Sequence, residues 1–550
     1  MKTELFDILT VLTVIHFISI AGLALYGLHR IWLLVCWFKS RAKSESKTQF
    51  SFIQNPFSSE QNHYPCVQNR LFDIDYPLVT VQVPLYNEPL VAARIIDAVA
   101  SFRWQTDKLE IQILDDSSDN TIGIVKERVK YWSDKGVWIY AVFRENRTGY
   151  KAGALQNGLK QSKGEFVAVF DADFIPQPDF LEQTVPHFYS HNFNSAQDQT
   201  NQNNQDNIAE NRNYNSNLKS ENIGMVQTRW GFLNARYSWL TRLQALMLSP
   251  HFEIEHKIRF SRHLFFNFNG TAGVWRREAI ESAGGWQDDT VTEDLDLSYR
   301  AQLAGWKFLY LNDVVVPSEL PVNLSDFRSQ QERWSKGSIQ TARKILPRLI
   351  TSQLPLSIKI ESIAHLMANF CWLLGFVITI TLYPVILYRI GIGMYQVLWI
   401  DIPLFCISAG AILTYYFVYS IVTRQTYTLT TLPVLPIISI GLAPCFALSV
   451  LKGAVQRGGV FKRTPKFGIA DNTQSRLSVK RFRKFNYPII NNLLLNIPLF
   501  IYSLMPVVFT WQRETWPAIP FLSLFPLGFF LVLLNDLLAI DTSSSKTENL

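Results

Sequence analysis

Six long apolar runs punctuate the chain, at residues 5–38, 363–388, 397–422, 432–450, 488–508 and 516–538. A helix needs about 20 apolar residues to cross a bilayer core. Between residues 50 and 348 no run reaches that length, so this stretch reads as a soluble domain. The first run ends in Lys39, Arg41, Lys43 and Lys47. It lacks a basic start and a small-residue cleavage site, which makes it a signal anchor and not a cleaved signal peptide. The basic flank places the following segment in the cytoplasm.

Shorter periods organise the soluble stretch. Residues 78–85 form an apolar, β-branched run that ends at Tyr86-Asn87-Glu88. Further strand patterns follow at 109–114, 138–143 and 166–170, with helical patterns at 89–102, 121–133 and 152–161 between them. This β-α alternation predicts an α/β domain with a mostly parallel sheet and right-handed crossovers. Ligands in such sheets bind beyond the carboxyl ends of the strands. Acidic clusters stand at those ends. Residues 191–222 are rich in Asn, Gln and Ser and carry too little apolar surface to order themselves, so they read as a disordered insertion.

The run at 432–450 contains Pro433, Pro436, Gly441 and Pro444, which interrupt helices. The next loop, 452–484, carries Lys452, Arg457, Lys462, Arg463, Lys466, Arg476, Lys480, Arg481, Arg483 and Lys484 against the single acid Asp471. That loop is expected in the cytoplasm, so 432–450 reads as interfacial or re-entrant. Five spans remain, with the N-terminus outside and the C-terminus inside. Hydropathy alone also allows six.

Composition agrees with a soluble domain set among membrane helices. Of 550 residues, 48% are hydrophobic and only 18% charged, against about 25% charged in soluble proteins. Mean hydropathy is nevertheless only +0.06, too low for a fully embedded chain. The net charge of +7 is concentrated beside the apolar runs, which reads as topology and contact with membrane lipid, not nucleic acid. The five cysteines show no CxxC or Cys/His cluster, so neither a disulfide framework nor a zinc site is expected.

Four polar features recur in the soluble domain. Asp115 and Asp116 end the second strand, and Asp171 and Asp173 end the fourth. Thr292-Glu293-Asp294 opens a helical stretch, and Gln330-x-x-Arg333-Trp334 lies in an amphipathic segment before the next apolar run. Asp171 and Asp173 are either turn carboxylates or ligands of a hard divalent cation that also takes phosphate oxygens. Asp294 is either a helix N-terminal carboxylate or a general base for a sugar hydroxyl, with Glu293 orienting the loop. Trp334 and Arg333 are either an interfacial anchor or a sugar-stacking face beside a counter-charge for a leaving diphosphate.

Together, DD, DxD, TED and QxxRW in this order resemble the processive membrane polysaccharide synthases of glycosyltransferase family 2, such as cellulose synthase. Tyr150-Lys-Ala-Gly-Ala-Leu155, Val226-Gln-Thr-Arg-Trp230, Phe268-Asn-Gly-Thr-Ala-Gly-Val-Trp-Arg276, Gly284-Gly-Trp286 and Glu319-Leu-Pro321 narrow the resemblance to the cellulose synthase-like A and C families. Those families make β-1,4-mannan or glucomannan and the β-1,4-glucan backbone of xyloglucan. TED stands where the plant pattern has VED. Phe461-Lys-Arg-Thr-Pro-Lys466 resembles the FxVTxK gating loop of cellulose synthase, with Arg463 in place of Val.

The resemblance implies a GT-A type domain at 49–350, between an N-terminal anchor at 1–48 and a C-terminal membrane domain at 351–550. The latter contains the interfacial segment 432–450 and a gating-like loop at 457–468. It implies an inverting, processive hexosyltransferase that uses Mg2+ or Mn2+ and takes GDP-mannose or UDP-glucose. The sugar goes to a β-1,4-glycan acceptor that crosses the membrane through the same chain. Asp294 and Glu293 would be catalytic. Asp115, Asp116, Lys151, Asp171, Asp173, Arg333 and Thr464 would bind the nucleotide sugar, with the metal on Asp171 and Asp173. Trp334, Gln330, Phe268, Asn269 and Gly270 would meet the acceptor. The membrane would be the plasma (inner) membrane, or the Golgi if the source is a plant. Two rivals are a glycolipid synthase moving one sugar to diacylglycerol and a non-catalytic membrane binding or transport protein.

Overall fold

The structure, a computed structural model, describes residues 2–54, 76–189, 222–392, 403–404, 406–461, 463–469, 489–514 and 516–544. The expected insertion at 191–222 lies outside these residues apart from Asn222.

Helix α1 (Lys2–Gln54) leads into the soluble domain. There β1 (Val79–Leu85), β2 (Leu109–Asp115), β3 (Ile139–Phe143) and β4 (Phe166–Val169) alternate with α2 (Ala92–Ala100), α3 (Thr121–Asp134) and α4 (Tyr150–Gln161). The alternation read from the sequence is therefore present, with ends shifted by a few residues. Beyond the insertion come β5 (Ile223–Phe232), β6 (Gly273–Arg276) and β7 (Lys307–Ser318). The sheet order is β3-β2-β1-β4-β6-β5-β7. All pairs are parallel except those of β6, which runs antiparallel to β4 and β5. Val79, Val81 and Val83 on one face of β1 and Thr80 and Gln82 on the other are all fully buried, as a central strand covered on both faces requires. One apolar layer joins β1, β2 and β4 to α2. A second, on the opposite face, joins α4, Phe268, Trp275 and Leu297.

The strand order sets the site. β2, β1 and β4 are neighbours, and Leu85 pairs with Asp115. The loops after these three strands therefore open on one rim. Three helices complete it: α5 (Trp239–Pro250), α6 (Glu293–Leu303) and α7 (Leu324–Thr351). A π-helical turn, His251–His256, follows α5.

Among the described residues, five helices are long and apolar enough to cross a membrane: Asp7–Arg41, Ala368–Gly391, Val434–Val455, Asn492–Gln512 and Trp516–Leu538. The described part of the 397–422 run is a shorter helix, Cys406–Val422. The proline-broken run is, against expectation, one continuous helix, α8 (Val434–Val455). Pro433 precedes it and Pro436 falls in its first turn, where the missing N–H costs no bond. Gly441 packs against the Gly528 carbonyl, a close backbone approach that a Cβ would block.

Both flanks of α8 touch the soluble domain. On one side Gln425 donates to Glu253 at 3.5 Å and Arg236 lies over the Tyr427 ring at 4.8 Å. On the other, Arg343 donates to the Ala454 carbonyl at 2.7 Å and the Gly458 N–H to the Asp289 carbonyl at 2.6 Å.

Candidate active site

Asp115 is buried at the end of β2. Its Oδ1 accepts the Ser117 N–H at 2.9 Å, while its Oδ2 is buried without a partner. Burial raises its pKa. Asp116 is held by Arg144, whose Nε donates to Oδ1 at 2.8 Å. The guanidinium of Arg147 stacks over Tyr86, 3.2 Å from the ring centroid.

Asp171 and Asp173 follow β4. The Lys151 ammonium, from the first turn of α4, lies 2.6 Å from Asp171, and the Lys466 ammonium lies 2.6 Å from Asp173. Lys151 also donates to the Gly270 carbonyl at 2.9 Å and stands 3.8 Å from Glu293. One lysine thus ties the DxD turn to the TED turn.

Asp294 occupies the first turn of α6. Burial, and then the neighbouring Glu293 charge, push its pKa up to about 7, with Lys151 and Arg333 pulling the other way. Gly270 has φ +81°, and a Cβ there would sit 2.9 Å from the Asp294 Oδ2. Glycine is required both for the left-handed backbone and to leave the carboxylate open. The Asn269–Gly270 turn is itself fixed: Gln227 Oε1 accepts the Asn269 N–H at 2.9 Å, and Asn269 Nδ2 donates to His256 Nε2 at 2.8 Å.

Arg333 lies over the Phe461 ring at 4.4 Å. Gln330, Arg333, Trp334, Thr464, Asn269, Gly270 and the carboxylates of Asp116, Asp171, Asp173, Glu293 and Asp294 line one cavity of about 1620 Å³. It continues between apolar helices, past Tyr26, Asn369, Trp372 and Ser439. Phe268 is the exception among the expected acceptor residues. It is fully buried and packs on Trp275 at 5.6 Å and Trp286 at 6.4 Å. In the Asn267-Phe268-Asn269 stretch the two asparagines line the cavity and the phenylalanine turns into the core. Asp115, although on the rim, does not line the cavity.

Sequence reasoning passed over three of the lining residues. Glu88, buried, has a pKa raised to about 7 by burial, opposed chiefly by Arg463. Glu319 and Lys466 meet across the rim. All three stand inside motifs visible in the sequence, Tyr-Asn-Glu, Glu-Leu-Pro and the gating-like loop. Their contacts arise from elements far apart in the chain.

Residues 80–265 match the family described as Glycosyl transferase family 2. The chain carries a family 2 glycosyltransferase domain. Residues 214–426 also match Glycosyl transferase family 21. Relatives of the family 2 domain include glucomannan 4-beta-mannosyltransferase 2 of Arabidopsis thaliana. It is 44% identical over 283 residues, covering 51% of this chain and 48% of that protein. Glucomannan 4-beta-mannosyltransferase 1 of Oryza sativa subsp. japonica is 42% identical over 299 residues, covering 54% and 51%. The chain spans about half the length of the curated relatives it matches. Among solved structures, the mannosyltransferase PcManGT from Pyrobaculum calidifontis, in complex with GDP-Man and Mn2+, is 19% identical. That match covers 81% of this chain and 99% of the other, with a TM-score of 0.45. The sheet around the family 2 site is of the GT-A type, mostly parallel with one reversed strand.

Proposed function

We propose that the chain is an inverting, processive membrane glycosyltransferase that extends a β-1,4-mannan or glucomannan, with GDP-mannose as donor. The observation that carries this is the single cavity running from the donor carboxylates, past Asp294 and Trp334, into the apolar helices. A growing chain has a route there that a single-sugar transfer to lipid does not need. The mannosyltransferase names of the relatives favour mannose over glucose.

The donor diphosphate needs positive charge. Asp171 and Asp173 each already hold an ammonium at 2.6 Å, so both carboxylates face a cation position. Among the described residues no group of three or more His, Cys, Asp or Glu converges. Two carboxylates plus donor oxygens suit Mg2+ or Mn2+. When bound, the ion neutralises charge on the leaving diphosphate. Arg333, which lines the same cavity, adds to that neutralisation. Trp334 holds the acceptor sugar by its apolar face. Asp294 takes the proton from the attacking 4-hydroxyl. Asn269 and Gly270 shape the acceptor side through backbone position, and Thr464 faces the donor.

In this reading the protein is integral to a membrane, with the family 2 domain cytoplasmic. The segment containing α8 lies along the cytoplasmic face, because both its flanks meet that domain. A cysteine placed at Arg457 is expected to resist an impermeant thiol reagent in intact cells and to react after permeabilisation. Labelling from outside would make α8 a span.

The donor is tested on the purified chain with radiolabelled GDP-mannose and, separately, UDP-glucose. Label from GDP-mannose is expected in a product that β-mannanase degrades. Incorporation from UDP-glucose alone, into a β-glucanase substrate, would overturn the mannose assignment.

A further inference from the structure

The segment Arg463–Ile469 lies across the donor carboxylates, pinned at several points. Lys466 Nζ is 2.6 Å from Asp173 Oδ2 and donates to the Glu319 carbonyl at 3.2 Å. The Glu319 Oε2 accepts the N–H groups of Phe467 and Gly468 at 3.3 and 3.1 Å. Its Oε1 accepts Arg94 at 2.7 Å, and Arg94 also reaches the Asp173 carbonyl at 3.4 Å. At the other end Arg463 pairs with Glu88 at 3.5 Å and donates to the Asn87 carbonyl.

The Lys466 and Asp173 side chains are only 12% and 7% exposed. At that burial water screens their attraction weakly, and it screens just as weakly the repulsion between an ammonium and a second cation on the same oxygen. A divalent ion on Asp173 and the ammonium at 2.6 Å cannot share the position.

We infer that Lys466 is a tethered cation holding the divalent-ion seat beside Asp173 in the donor-free enzyme, and that Glu319 latches the segment that carries it. This rests on the donor-site reading of Asp171 and Asp173. The metal and its diphosphate enter by displacing an ammonium already in place, so free metal binds weakly and metal with donor binds well. Glu319 acts as a positioning residue. Its carboxylate is satisfied by Arg94 and two backbone N–H groups, which keeps the segment over the site while Lys466 moves.

The test is Mn2+ binding to the full-length chain in nanodiscs without donor, read from the electron paramagnetic resonance signal of free Mn2+. Lys466→Gln is expected to bind Mn2+ about tenfold tighter than wild type, the effect of removing one close competing charge. Lys466→Arg keeps the charge and is expected to match wild type, which also controls for folding. Asp173→Ala in the Lys466→Gln background should cancel the gain. Glu319→Ala should tighten Mn2+ binding and speed tryptic cleavage at Lys466 in the same sample. Equal or weaker Mn2+ binding by Lys466→Gln overturns the inference, as does a gain that survives Asp173→Ala. Neither result depends on which sugar is transferred. Failure of the mannosyltransferase reading would instead appear as absent transfer with the competition intact.

Discussion

Asp294→Asn is expected to lower turnover by about a hundredfold or more while leaving donor binding nearly intact. The substitution keeps shape and volume but replaces the carboxylate with an amide, which is not basic enough to take a hydroxyl proton. Asp294 is suited to that task by its surroundings. Burial and the Glu293 charge raise its pKa to about 7, and Lys151 and Arg333 keep it from rising further. Perturbed carboxylates of this kind gather at reacting centres. The same shift sets a pH dependence. Below about pH 7 the group is protonated and cannot act as a base, so kcat/KM of the wild type should fall as pH drops through that value and level off above it. Initial rates across pH, with donor affinity measured separately on the Asn variant, check both statements. Near-normal turnover in Asp294→Asn would reduce the residue to a carboxylate at a helix N-terminus.

Trp334→Ala is expected to collapse polymer formation while slow hydrolysis of the nucleotide sugar persists. Trp334 lines the cavity on α7. One turn further on the same face, Ser338 accepts from Asn369 at 2.9 Å. Asn369 lies at the start of the membrane-competent helix Ala368–Gly391, so the indole stands about 6 Å of helical rise from the mouth of the membrane path. Stacking on a sugar face is less demanding in direction than a hydrogen bond, which lets a chain slide by one unit between additions. Removing the indole leaves Asp294, Asp171 and Asp173 untouched, so water remains an acceptor. Measuring both rates on one purified sample separates the roles. Equal loss of polymer and hydrolysis would place Trp334 in the donor site or the core instead.

The first four strands and their acidic ends are legible because a buried parallel strand is a short apolar run ended by a polar turn. Val79–Leu85 and Leu109–Asp115 show this pattern directly. TED is legible as a helix start for the same local reason. β6 is not. Its four residues, Gly273–Arg276, are too few to show a period, and their reversed direction depends on pairing with β4 and β5. The inward turn of Phe268 follows from strand-like alternation in a segment whose neighbours are polar, where a surface aromatic and a core aromatic read alike. The packing of α8 is equally hidden, because Gly441 meets Gly528, a contact between segments far apart in the chain. The Lys466–Asp173 and Glu319 contacts are longer-range still: each side chain is visible in its motif, but only folding brings them to one rim.

The most direct measurement is the fate of radiolabel from GDP-mannose supplied to the purified wild-type chain, divided between a chloroform extract and an alcohol-insoluble residue. Label is expected in the insoluble residue, as chains of many units that β-mannanase converts to short oligosaccharides, with next to none in chloroform. A single labelled sugar on a lipid that chloroform extracts, unchanged in amount by Trp334→Ala, would contradict the polymer synthase and leave a glycolipid synthase in its place.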